Sequence, residues 1–146
     1  AFGVKLFQAI SERYAKDRIS RKTFLNSPRL VADYVRRKLG RKKKEYFLLL
    51  WLDTSHNLIE AKEISVGILD ASLVHPREVF KEAIKVSAAQ IILAHNHPSG
   101  NLDKSPEDIR VTRQLSAAGD LLGIEVIDHI IVTNDGYASF KEQNWM

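Results

Sequence analysis

Apolar residues fall along this chain in two rhythms, one at helical spacing and one in short unbroken runs. Phe2, Leu6, Ile10 and Tyr14, with Val4, Phe7 and Ala15 beside them, predict a helix over residues 2–17 with one buried face. Ser27-Pro28 predicts an N-cap followed by proline at the first helical position, opening a helix that runs to about Leu39 and stops at Gly40. Tyr46 to Leu52 is continuously apolar, too short for a typical helix and rich in aromatic residues, so it reads as a strand buried on both faces. Asp53 to Asn57 has turn composition, and Leu58 to Val66 returns as the second strand of a hairpin.

The same two rhythms continue. Pro76 opens a helix whose apolar stripe is Val79, Phe80, Ala83, Ile84 and Val86. Ala89 to Ala94 is a second apolar strand, Pro98 to Lys104 a loop, and Ser105-Pro106-Glu107-Asp108 the start of a helix reaching Gly119 or Leu121. Ile124 to Thr133 predicts a strand, Asn134-Asp135-Gly136 a tight turn and Tyr137 to Phe140 a short closing strand. Buried strands alternating with helices predict a layered α/β domain. Lys16 to Asn26 is the one linker-like segment, and neither internal repeats nor low-complexity tracts occur.

Composition narrows the setting. The 146 residues are 45% hydrophobic and 27% charged, which fits one globular domain with a real core rather than a disordered chain. No apolar run approaches the roughly 20 residues that cross a bilayer, so no membrane partner is expected. The N-terminal segment lacks the order of charge, apolar run and small-residue site that marks a signal peptide. The chain starts at Ala1 rather than Met, so it is expected to be part of something longer. With no cysteine, disulfides, thiolate nucleophiles and thiolate-bound metals are excluded, and a cytoplasmic location is expected. Any metal must be held by histidine and carboxylate.

The stretch that carries chemistry is Ala94 to Asp108. His95 and His97 stand two apart at the end of a strand, so their imidazoles share a face. Pro98 stops the strand, and the loop doubles back into a helix whose first turn carries Asp108. Two histidines and a carboxylate with an open fourth position form the pattern of a catalytic zinc site, the open corner being where water is activated. Each piece alone has a structural explanation. Ser105 and Asp108 have the spacing of a capping box, and His97-Pro98-Ser99-Gly100 that of a turn. Their combination is what points to a metal centre.

The pattern H-x-H-P-x(6)-S-x-x-D, from His95 to Asp108, resembles the motif of the JAMM (MPN-type) metalloproteases position for position. The wording His95-Asn96-His97-Pro98-Ser99-Gly100 resembles the bacterial RadC family in particular. So do Val74-His75-Pro76-Arg77-Glu78, Leu52-Asp53-Thr54, and Leu122-Gly123-Ile124 followed by Asp128-His129. The resemblance covers residues 22–146, as a JAMM/MPN-like domain. Residues 1–21, with Gly3, Lys5, Leu6, Ala9 and Glu12, resemble the end of the helix-hairpin-helix region that precedes it in RadC proteins. The resemblance implies a three-layer α-β-α sandwich with a mixed sheet, of the JAMM/cytidine-deaminase-like kind. It implies a zinc ion held by His95, His97 and Asp108, with Ser105 hydrogen-bonding the oxyanion. It also implies a glutamate on an earlier element as general base. Glu45, Glu60 and Glu63 are the candidates; Glu45, at the entry to the first buried strand, is preferred, with Glu63 next. The implied reaction is hydrolysis of a peptide or isopeptide bond, and the family's DNA-repair label supplies the alternative, a nucleic-acid-binding accessory protein with a structural or vestigial metal site.

Other chemistry is excluded by the letters themselves: there is no H-E-x-x-H, no P-loop, no G-x-G-x-x-G and no cysteine pair for a zinc deaminase site. His129, in an apolar strand, reads as a structural histidine with a supporting role at a metal open to it. His75 reads as a helix-entry residue and His56 as an exposed turn residue. The net charge of +4 is concentrated in Arg36 to Lys44, which serves equally as a solvated helix C-terminus or as a contact for phosphate groups and DNA. Without aromatic residues between the cations, stacking on single strands has no support. If Glu45 is catalytic, these cations adjoin the active site and favour acidic substrates.

Overall fold

The run Tyr46 to Leu52 decides the layering, because every second side chain on it must find a different partner layer. In the computed structural model, which describes residues 23–39, 41–65 and 74–146, this run is strand β1 (Tyr46–Leu52). Its Phe47, Leu49 and Trp51 pack against one set of helices, and its Leu48, Leu50 and Leu52 against another. The second set is a single helix, α1 (Pro28–Leu39), which contributes Val31, Ala32, Val35 and Leu39. The first set is α2 (Pro76–Lys85) with Val79, Phe80 and Ala83, and α3 (Pro106–Leu122) with Val111 and Leu115. The Trp51 indole donates to the Val79 carbonyl at 3.1 Å, so the largest core side chain also has its polar atom satisfied.

Around β1 lie β2 (Leu58–Ser65), β3 (Gln90–Asn96), β4 (Glu125–Val132) and β5 (Tyr137–Ser139), in the order β2-β1-β3-β4-β5. β1 runs antiparallel to β2 and to β3, β3 runs parallel to β4 through the α3 crossover, and β5 returns antiparallel. The architecture is therefore the expected three-layer α-β-α sandwich with a mixed sheet.

Local chemistry places the helix starts. Ser27 Oγ accepts from the Leu30 amide, His75 Nδ1 from the Arg77 amide at 3.1 Å, and Ser105 Oγ from the Asp108 amide at 3.1 Å, each just before a proline. α3 ends on Gly123 at φ 70°, a left-handed position suited to glycine. The strand expected from Ala89 to Ala94 extends to Asn96 and so includes His95. Two expectations are corrected. Ile84 is 63% exposed, because it falls off the stripe that Val79, Phe80 and Ala83 present to the sheet. His56 is half-buried rather than exposed; its φ of 64° turns the backbone so that its carbonyl accepts from Leu25. The helix expected over residues 2–17, the division at residues 21/22 and the stop at Gly40 lie outside the described residues.

One irregularity in β4 matters for the site. Ile91 pairs with Val126, but the next residue, Ile92, pairs with Asp128, so Ile127 is extra. Val126 faces α2 and α3, whereas Ile130 and Val132 face α1, which strict alternation would forbid. The bulge thereby turns His129 onto the face that carries His95.

Gly119 keeps α3 close to the start of β4. A Cβ there would run into the Ile124 carbonyl oxygen and press on Phe80 Cζ at 3.3 Å. Gly119→Ala should therefore destabilise the domain by about 1–3 kcal/mol in urea denaturation, although glycine-to-alanine in a helix otherwise gains about 1 kcal/mol. An unchanged or higher midpoint would refute this close approach.

Candidate metal centre

The antiparallel register pairs Phe47 with His95 at the last rung of β1 and β3. Beyond that rung the side chain of Asn96 continues the pairing: its Oδ1 accepts from the Tyr46 amide at 2.7 Å and its Nδ2 donates to the Lys44 carbonyl at 3.0 Å. The backbone is thus held on both sides of Glu45. Asn96 points to the face opposite the two histidines, as its place between them requires.

His97 is fixed from three directions. Its amide donates to the Val132 carbonyl at 2.9 Å, its carbonyl accepts from Gly100, and its Nδ1 lies 2.6 Å from the Asn101 carbonyl. Gly100, at φ 85°, supplies the left-handed residue that this tight loop needs. Since a carbonyl only accepts, His97 carries its proton on Nδ1 and turns an Nε2 lone pair toward His95. The loop then enters α3 through a reciprocal capping box, in which Asp108 Oδ2 accepts from the Ser105 amide at 2.8 Å. Asp108 keeps Oδ1 free for the site.

These constraints bring the groups together. The Nε2 atoms of His95 and His97 lie 2.7 Å apart. Asp108 Oδ1 is 3.3 Å from His95 Nε2, and Oδ2 is 3.7 Å from His97 Nε2. Glu45 Oε1 stands 3.6 Å from His97 Nε2 on a side chain that is 42% exposed. Burial works against the charge of Asp108, while the Ser105 amide that donates to it favours that charge.

His95, His97 and Asp108 form a group able to hold a metal ion, with ligand atoms all within 4.8 Å of one another. The donor chemistry fits a cation. An imidazole whose proton sits on Nδ1 and a carboxylate offer only lone pairs at this point, and facing lone pairs need a positive charge between them. Nitrogen and oxygen donors at this count suit zinc.

The remaining candidates are sorted by register. Glu63 pairs with Leu48 and so projects on the α1 face, away from the imidazoles. Glu60 pairs with Trp51, near the opposite end of β1, and lies beside Glu82, with which it shares a proton-retaining contact that raises its pKa. Glu45 is the glutamate beside the histidines.

His129 contributes more than its sequence context indicated. It is wholly buried, stacked on Phe140 at 4.4 Å between ring centroids, with Phe47 edge-on at 5.5 Å. Its Nε2 lies 2.8 Å from His95 Nδ1, and its Nδ1 lies 2.6 Å from Thr112 Oγ1. Burial pushes its pKa well down and keeps it neutral. Asp128 anchors the surroundings, accepting from the His129 and Lys141 amides and the Ser139 hydroxyl; burial nonetheless raises its pKa.

One cavity, of about 470 Å³, adjoins the cluster and is lined by Arg41, Lys42, Lys43, His97 and Pro98 among others; a second, of about 630 Å³, shares Arg41 and Asn134 with the first and adds Arg36 and Arg37. Among the described residues, no helix is long and apolar enough to cross a membrane.

Comparison with known proteins agrees with this picture. The family model of the RadC-like JAB domain matches residues 25–145. A UPF0758 protein of Pelobacter propionicus is 45% identical over 143 residues, which cover 98% of this chain and 62% of that protein. Another, of Alkaliphilus metalliredigens, is 51% identical over 122 residues, covering 84% of this chain and 53% of that protein. A third, of Geotalea uraniireducens, is 43% identical, covering 98% and 63%. The chain thus spans between about half and two-thirds of the length of these relatives. With the His95–His97–Asp108 cluster on its strand and helix, and the family match running through both, the chain belongs to the RadC-like JAB domain family.

Proposed function

We propose that the domain is a zinc-dependent hydrolase of peptide or isopeptide bonds. The observation that carries this reading is the meeting of two imidazole Nε2 atoms and one carboxylate with Glu45 at their edge. His95, His97 and Asp108 would hold the ion, and zinc bound there supplies Lewis acidity toward a carbonyl and acidifies water. Glu45 is half-exposed and held by Asn96, so its carboxylate reaches solvent while its backbone stays fixed. It accepts a proton from the attacking water and returns it to the departing amine nitrogen. Ser105 Oγ accepts the Asp108 amide with one lone pair, and its O–H remains to donate to the oxygen that gains negative charge.

The cations lining the cavity beside His97 favour a polypeptide with acidic residues next to the bond that is cut. They also support the second reading, an accessory protein that contacts DNA phosphates through Arg36 to Lys44. The named cavity residues include no aromatic side chain, which favours an extended peptide over stacked bases.

Three outcomes are expected. Protein purified without added metal should carry zinc near stoichiometry by elemental analysis, and His97→Ala should carry little; equal zinc in both would overturn the metal centre. Glu45→Gln should keep its zinc while cleavage of a peptide library falls by roughly 10²–10⁴-fold, and undiminished cleavage would remove Glu45 from the mechanism. Reversing Arg41, Lys42 and Lys43 to glutamate should shift the library's preference away from acidic sequences. A library preference left intact, together with loss of salt-sensitive DNA binding, would favour the second reading.

A further inference from the structure

The hydrogen bonds behind His95 have a direction, and it can be read from their far end. The chain starts at the Asp108 carbonyl, which can only accept. Thr112 Oγ1 lies 2.7 Å from it and donates its single proton there. The Thr112 oxygen then has only lone pairs left for His129 Nδ1 at 2.6 Å, so His129 is protonated on Nδ1. His129 is wholly buried between Phe47 and Phe140, where one proton is all the neutral ring carries. Its Nε2 therefore accepts, and His95 Nδ1, 2.8 Å away, donates to it. His95 is left with a lone pair on Nε2, the atom that faces His97 and Asp108.

We propose that Thr112 and His129 are positioning residues that set the tautomer of His95, so that its Nε2 is presented to a cation as a lone pair before the cation arrives. The chain of bonds begins on the main chain of one ligand residue, Asp108, and ends on the ring of another, His95. A histidine bonded to a second neutral histidine is ambiguous by itself, since either ring can donate. The threonine removes the ambiguity because helix geometry commits its proton to the carbonyl one turn back. Without that commitment the chain can reverse: His129 would donate from Nε2 to His95 Nδ1, and the His95 proton would move to Nε2 and block the coordinating position. The bulge at Ile127 is part of the device, because it turns His129 to this face.

The proposal concerns metal affinity and does not depend on the hydrolase reading. Thr112→Val keeps the shape and removes the hydroxyl, whereas Thr112→Ser keeps the hydroxyl. Zinc affinity, measured by competition with a chromophoric chelator, should weaken about 10–100-fold in Thr112→Val and recover in Thr112→Ser. His129→Gln, whose amide can accept from His95 and donate to Thr112, should retain more affinity than His129→Phe, which fills the volume without polarity. Thermal melts of the metal-free variants check that each is folded. Long-range ¹H–¹⁵N spectra of the wild-type protein provide a measurement that needs no variant: His129 should be protonated on Nδ1 and bare on Nε2. Zinc affinity in Thr112→Val equal to wild type, or a His129 ring protonated on Nε2, would overturn the proposal. Zinc bound as proposed with no hydrolysis of any peptide would leave it standing and count against the function proposed above.

Discussion

The antiparallel pairing of β1 with β3 is the constraint on which the site depends. Its register sets Phe47 opposite His95 at the last rung. Because strand side chains alternate, that one pairing assigns His95 and His97 to the α3 side and Asn96 to the other. The Asn96 amide then extends the pairing past the end of the ladder and brings Glu45 beside His97. The strands are buried on both faces by Leu, Ile, Val, Phe and Trp side chains, so a slip by one residue would send every side chain into the opposite helical layer, against packing partners shaped for the other row. Core packing is thus what holds the polar geometry at the sheet's end.

Much of this was legible in the letters. Proline after a capping side chain marked all three described helices, and unbroken apolar runs marked β1 and β3 as strands covered on both sides. The spacing from His95 to Asp108 was legible because strand end, loop and helix start are contiguous in sequence. The choice among Glu45, Glu60 and Glu63 was harder. It turns on cross-strand register, which pairs Glu63 with Leu48 and Glu60 with Trp51, and register is a relation between segments rather than a property of one.

The extra residue in β4 was not legible at all. Apart from Asp128 and His129, Glu125 to Val132 is apolar on both faces after its first residue, so its sequence carries no alternation in which a skipped beat could be detected. His129 consequently read as one buried histidine among apolar neighbours. Its partners, Thr112 and His95, lie 17 and 34 residues away along the chain. The link between Asn96 and the Lys44–Tyr46 backbone spans about 50 residues and left no local trace either.

The capping box of α3 gives Asp108 two employers, the helix start and the cluster of lone pairs. Selection on folding alone would keep Ser105 and Asp108 in place, since removing such a cap costs about 1 kcal/mol. No comparable folding need preserves the exposed edge of His97 or the half-exposed Glu45. In a descendant freed from its chemistry, decay should therefore surface at the imidazole and the glutamate while the serine–aspartate pair persists. That pair by itself is a poor witness to a living active site.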